Sequence, residues 1–188
     1  DQRIDYRWID LRTDENQLMF KAQSCFVNAM RKFLLDRNFI EIHTPKLIAA
    51  ASESGSEVFK VDYFDRNAYL AQSPQFYKQM AMAAGFERIF ETGPVFRAEK
   101  SYTNKHSTEF SGFDLEFSYI TSYKDVMKME EELLTAGLQA VKDNYGDQIK
   151  EMFGQEVIVP TTPFPVVKLA DLYKGLEEEF GYTVDESE

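Results

Sequence analysis

The 188-residue chain is 44% hydrophobic and 14% aromatic, which suits one folded domain, or a large part of one, and argues against disorder. Its formal charge of −11 argues against broad, charge-driven binding to nucleic acid or anionic membranes, while leaving room for a local basic pocket. No apolar run approaches the roughly 20 residues that span a bilayer, and the polar start Asp1-Gln2-Arg3 matches no signal peptide.

In chain order, residues 3–12 are charged with scattered aromatics and show no clear period. Asp14 and Gln17, three apart as in a capping box, open a helix whose stripe is Met19, Ala22, Phe26, Met30, Phe33 and Leu34, running to about Asp36. Cys25 lies beside that stripe and reads as a buried structural thiol. As the single cysteine it excludes an internal disulfide, and with two histidines it argues against a zinc site. A reducing, cytoplasmic setting fits.

Asn38 stops the helix, and residues 39–42 read as a short strand running into His43-Thr44-Pro45. Residues 50–56, small and polar, read as a mobile loop. Residues 59–64 and 68–70 flank Asp65-Arg66-Asn67 as a hairpin. A helix over 75–84, with Pro74 at its first turn, stops at Gly85.

Residues 88–99 and 110–120 read as strand candidates. Ser122 and Asp125 form a capping box before a second long helix, with Val126, Met129, Leu133, Leu134, Leu138, Val141 and Tyr145 as its stripe and Gly146 as its end. A proline-bearing, strand-like segment at 161–167 leads to a last helix carrying Leu169, Leu172, Tyr173, Leu176 and Phe180, stopped by Gly181. The predicted fold is α+β: an antiparallel sheet with helices on one face and the other face open to a ligand.

The chemistry concentrates around 93–119. Strand alternation puts Arg97 and Glu99 on one face, and Asp114, Glu116 and Ser118 opposite the apolar Phe113, Leu115, Phe117 and Tyr119. If the strands pair, the charges crowd one surface, and period-2 alternation alone fits a solvated face with compensating salt bridges. The intervening hairpin favours a ligand. Lys100, Lys105 and His106 stand among hydroxyls that can bond phosphate oxygens, Arg97 offers a planar fork, Glu99 can accept from an exocyclic amine, and Phe110 can stack on a base. Together they suit a nucleoside triphosphate, without a P-loop. Upstream, Gln75 and Lys78 share a helix face on which an ammonium could meet a small carboxylate, but spacing alone favours an ordinary amphipathic helix start.

As a set, these residues resemble a known family. "GPVFRAE" is similar to motif 2 of class II aminoacyl-tRNA synthetases, and the first long helix with "FIEIHTPKL" to motif 1, the dimer-forming motif. "QSPQFYKQ" with "HSTEFSGFDLEF" resembles the aspartyl-tRNA synthetases of archaeal and eukaryotic cytosolic type, from Arg3 to about Glu188. Lys78, in an element usually lacking from asparaginyl relatives, points to aspartate.

The resemblance implies activation of L-aspartate by ATP to aspartyl-adenylate and transfer to tRNA, in a cytoplasmic homodimer formed through the motif 1 helix and strand. Arg97 would bridge the α-phosphate and the amino-acid carboxylate, Glu99 hold the adenine amino group, Phe110 stack on adenine and His106 reach the outer phosphates. Lys78 would pair with the side-chain carboxylate, Gln75 and Asp114 would hold the substrate's polar groups, and Glu53, on a flipping loop, would meet its α-ammonium. Motif 3, the acidic Mg²⁺ ligands and the anticodon-binding OB domain are absent from these residues. The chain therefore reads as the N-terminal part of the catalytic domain over 1–188. Rival readings are an asparaginyl-tRNA synthetase, an aspartate-activating amide-forming paralogue and a non-catalytic dimeric paralogue.

Overall fold

The structure, a computed structural model, describes residues 2–50, 57–98 and 106–183. The opening segment forms two short helices, α1 (Gln2–Asp5) and α2 (Arg7–Asp10), tied together by ion pairs from Arg3 and Arg7 to Asp10. The long helix α3 (Asp14–Leu35) is capped by Thr13, one residue earlier than the predicted box. Thr13 Oγ1 accepts from the Asn16 N–H, and Asp14 and Glu15 occupy the first turn, where the helix dipole favours negative charge. Its buried residues are Leu18, Met30 and Leu34, whereas Met19, predicted on the stripe, is exposed. The reason is spacing: Leu18, Ala22, Phe26, Met30 and Leu34 form an unbroken i, i+4 row, and Met19 falls beside it.

Asn38, at φ 63°, reverses the chain after α3 and delivers it into β1 (Ile40–Glu41). Next come β2 (Leu47–Ile48), β3 (Lys60–Tyr63) and β4 (Arg66–Leu70), which form an antiparallel sheet in the order β2-β4-β3. Tyr63 pairs with Arg66, so the hairpin turns at Phe64-Asp65, a residue before the predicted place, with Phe64 at φ 54°. The short helix α4 (Gln75–Ala83) follows and ends as predicted at Gly85, at φ 93°.

The main sheet joins β1, β5 (Arg88–Phe96) and β6 (Glu109–Phe117) in the order β1-β5-β6. β5 and β6 pair antiparallel along their whole length. β1 runs parallel to β5, a departure from the all-antiparallel prediction. The connection through the small sheet and α4 is long enough to make that crossover. Strand β6 ends at Phe117, so Tyr119, expected on the apolar face, instead sits exposed at φ 61°.

Helix α5 (Tyr123–Phe153) starts with the predicted Ser122–Asp125 box, Asp125 accepting from the Ser122 N–H at 3.1 Å. It runs past Gly146 to Gly154, which takes the left-handed conformation at φ 65°. A mid-helix glycine costs only about 1 kcal/mol, so Gly146 alone could not end the helix. α5 packs against α3 on one face of the main sheet, around a core of Met30, Leu34, Phe39, Phe90 and Leu133. Gly137 permits that approach: a Cβ there would lie 2.6 Å from the Phe26 ring. Cys25, half-buried at the same interface, places its Sγ 3.5 Å from the Ala140 carbonyl.

Residues 161–167 are not a strand, since Pro163 and Pro165 have no N–H to give a ladder. Helix α6 (Leu169–Phe180) ends at Gly181, φ 64°, as its spacing predicts, yet none of its residues is buried among the described residues.

Candidate active site

Directly paired residues of an antiparallel ladder share a face. The register Ile89↔Glu116, Glu91↔Asp114, Gly93↔Gly112 and Val95↔Phe110 therefore sets one face of β5–β6 apart from the helix-packed face that carries Phe90, Phe113, Leu115 and Phe117. Arg97 continues this row, its N–H donating to the Thr108 carbonyl at 2.9 Å. Of the four charged residues that alternation placed on one surface, Arg97, Asp114 and Glu116 stand together there, with Phe110 in the same row, and Glu99 lies outside the described residues.

The small residues Gly93 and Gly112 hollow the middle of the face. A cavity of about 100 Å³ opens there, walled by Arg97 and Phe110 at one end, Glu91 and Asp114 across the floor, and Lys46 and Gln72 at the side. A larger hollow of about 470 Å³, between α5 and residues 162–166, shares no residue with this face.

Arg97 is exposed, with its guanidinium carbon 5.6 Å from the centre of the Phe110 ring, within range of a cation–π contact. Among the described residues the guanidinium makes no ion pair, so its donors can meet an anion. Phe110 itself is 40% exposed.

Lys78, on α4, is only 6% exposed. Its ammonium ion-pairs with Asp114 Oδ1 and lies 3.2 Å from Glu116 Oε2. Burial works against the charged form, but the bonds and charges of Asp114 and Glu116 outweigh it and hold the ammonium above the ordinary lysine range. An ammonium has three N–H donors, so one remains for a ligand carboxylate.

Beside this triad sits a network that the sequence did not single out. Glu91, 3% exposed, accepts from the Lys46 ammonium at 2.8 Å, the Thr44 N–H at 3.0 Å and the Thr44 hydroxyl at 2.6 Å. Burial pushes its carboxyl up, but the bonds from Lys46 and Thr44 prevail and hold it below the ordinary glutamate range. The Lys46 carbonyl accepts from the Ala71 N–H at 2.9 Å, and the Ala71 carbonyl from the Phe96 N–H at 2.9 Å. The segment after β1 is thereby tied to the chain entering α4 and to the base of Arg97. Gln72 and Ser73 line the cavity, whereas Gln75, half-buried at the start of α4, is not on its wall. The signal for Glu91 was present as an isolated acid in the apolar run Ile89-Phe90, with a basic residue after the Thr-Pro turn.

His106 lies at the exposed edge of the β5–β6 hairpin. Glu53, Glu99 and Lys105 lie outside the described residues, as does most of the predicted mobile loop. Among the described residues no group of three or more His, Cys, Asp or Glu side chains is placed to hold a metal ion. No helix among them is long and apolar enough to cross a membrane.

The sequence matches the family of class II tRNA synthetases (D, K and N) over residues 1–186. It is 47% identical over 186 residues to the aspartate–tRNA(Asp/Asn) ligase of Methanopyrus kandleri, covering 96% of this chain and 43% of that protein. With the cytoplasmic aspartate–tRNA ligase of Homo sapiens it shares 47% identity over 180 residues, 96% of this chain and 34% of the other. Its fold is similar to that of asparaginyl-tRNA synthetase from Pyrococcus horikoshii complexed with asparaginyl-adenylate, at TM-score 0.89 and 33% identity over 99% of this chain and 43% of that one. The aspartyl-tRNA synthetase from Entamoeba histolytica matches at TM-score 0.79 and 36% identity, over 99% and 35%. The chain thus spans less than half the length of these relatives. Matched over residues 1–186 and sharing 47% identity with two such ligases, the chain belongs to the class II tRNA synthetases of the D, K and N group.

Proposed function

We propose that these residues form the amino-acid and ATP site of an aspartate–tRNA ligase. The observation that carries this is the buried Lys78, set against Asp114 and Glu116, on the same sheet face as an exposed Arg97 and Phe110. An aspartate zwitterion brings one ammonium and two carboxylates, and this face offers both signs of charge in a small space. Lys78 takes the side-chain carboxylate and Asp114, with Gln75 and Glu53, the remaining polar groups and the α-ammonium. Arg97 spans the α-carboxylate and the α-phosphate, Phe110 stacks on adenine, Glu99 accepts from its amino group, and Lys105 and His106 meet the outer phosphates.

The α-carboxylate oxygen attacks the α-phosphorus of ATP, the bond to the bridging oxygen breaks, and pyrophosphate leaves with aspartyl-adenylate remaining. A hydroxyl at the tRNA 3′ end then attacks the acyl carbon and releases AMP. No enzyme nucleophile takes part; positioning and the charge of Arg97 lower the barrier. Any Mg²⁺ would be held by residues outside those described.

Asparagine is the competing substrate, and the asparaginyl structure at TM-score 0.89 gives it weight. Lys78 argues against it: an amide there leaves a desolvated ammonium without its added counter-charge, a mismatch that can reach on the order of 10⁴-fold. A homodimer is supported by the apolar side chains that α3 and β1 leave exposed, Met19, Phe20, Leu35 and Ile40. The name of the human relative supports a cytoplasmic location.

The test is ATP–pyrophosphate exchange by the intact protein with aspartate or asparagine. Exchange with aspartate alone, lost in Lys78→Met, is the expected result. Equal exchange with asparagine would sink the assignment.

A further inference from the structure

Glu91 and Asp114 are paired directly across β5 and β6, so two carboxylates face one another on one side of the sheet. Such a pair is unfavourable unless each member is neutralised. Each has its own lysine, brought by a different element: Lys46, from the turn before β2, lies 2.8 Å from Glu91, and Lys78, from α4, ion-pairs with Asp114. Lys46 and Asp114 also line the same small cavity, and the Lys46 ammonium, which also donates to the Thr44 hydroxyl at 3.1 Å, sits on a flexible four-carbon stem.

On the reading above, that Lys78 receives the substrate, we infer that Glu91 is a positioning residue: by engaging Lys46 it keeps Asp114 on Lys78. Were Glu91 uncharged, Lys46 would turn to Asp114 and draw that carboxylate away, leaving Lys78 with Glu116 alone and its aim changed. Glu91 thus prevents a rival lysine from rewiring the site. A purely structural role is the alternative. In that case the two bonds from Thr44, at 3.0 and 2.6 Å, would be the whole of its purpose, fastening the Thr-Pro turn to β5.

The two roles separate in a double substitution. In the intact protein, the rate at which acetic anhydride modifies Lys78 is read by mass spectrometry for wild type, Glu91→Gln and Lys46→Met/Glu91→Gln. Glu91→Gln should speed Lys78 modification on the order of tenfold, as expected where coupled neighbours are disturbed. The double variant should return it to within about twofold of wild type, because the rival ammonium is gone. In pyrophosphate exchange the KM for aspartate should rise and recover in step, with the KM for ATP little moved.

A double variant that folds and protects Lys78 supports the inference even if Glu91→Gln alone fails to fold. A Glu91→Gln variant labelled like wild type, or a double variant that labels as fast as Glu91→Gln or does not fold, overturns it in favour of the Thr44 role. If the labelling follows the expected pattern while wild type shows no aspartate-dependent exchange, the lysine partition stands and the proposed substrate falls.

Discussion

The two faces of the β5–β6 ribbon are made by the same eighteen residues under the same alternation, yet they are held by different physics. One face carries Phe90, Phe113, Leu115 and Phe117 and is covered by α3 and α5 through apolar contact, which is non-directional and tolerates rotation of the rings. The other carries Glu91, Asp114 and Glu116, and its order depends on two lysines delivered from outside the ribbon at hydrogen-bond distances. The difference teaches where stability and function reside. The apolar face can lose atoms and pay only in folding free energy, whereas the polar face can lose a single charge and change which partners meet.

Phe90 has no exposed surface, and its ring stacks on Phe113 at a centroid distance of 5.8 Å. Phe90→Ala should therefore lower stability by about 3–5 kcal/mol, seen as a reduced denaturation midpoint. Arg97→Ala should do the reverse. On an exposed residue it should leave the melting curve nearly unmoved while adenylate formation falls on the order of 10²–10³-fold in pyrophosphate exchange. Near-normal exchange in that variant would remove Arg97 from the mechanism and blur the contrast between the faces.

A smaller effect tests how closely the apolar side is packed. Gly137→Ala places a methyl group 2.6 Å from the Phe26 ring, and separating α3 from α5 to accept it should cost about 1–3 kcal/mol. A neutral result would mean the helices can slide apart, and that the apolar face is less constrained than the polar one.

The pH dependence of stability should sharpen the comparison most finely. Glu91 is held below its ordinary value, so its contribution is present above about pH 4.3 and is lost as pH falls through the lower folded value. Lys78 is held above its ordinary value, so its contribution is complete below about pH 10.4 and is lost as pH rises through the higher folded value. Glu91→Gln should thus flatten the acid limb of a melting-temperature profile, and Lys78→Met the alkaline limb. Profiles that keep both limbs would show that these pairs carry no titration-linked stability.

Local rules in the sequence reached far in some places. The Ser122–Asp125 box, the glycine stops at Gly85 and Gly181, and the division of β6 into Asp114 and Glu116 against Phe113, Leu115 and Phe117 all follow from period and capping chemistry that needs no distant partner. The same rules misplaced α3's cap by one residue and took Met19 for Leu18 at the start of its stripe, since Thr13 outcompeted Asp14 and Leu18 lay in the better i, i+4 row. They ended α5 too early, because a single mid-helix glycine costs only about 1 kcal/mol and Gly146 is carried through to the left-handed stop at Gly154.

What the sequence determined by itself was the alternation of β5 and β6, the identities of the charged groups on the outer face, and, through its motifs, the family. The tertiary structure alone decided which charges meet. Lys46 and Glu91 are far apart in the chain, as are Lys78 and Asp114, and no periodicity relates them. Their pairing arises because β1 lies parallel to β5, the turn after it reaches Ala71, and α4 is set down beside β6. Side-chain identity is local, but an ion pair of about 3 Å is a property of how separate elements pack, and only the folded chain specifies it.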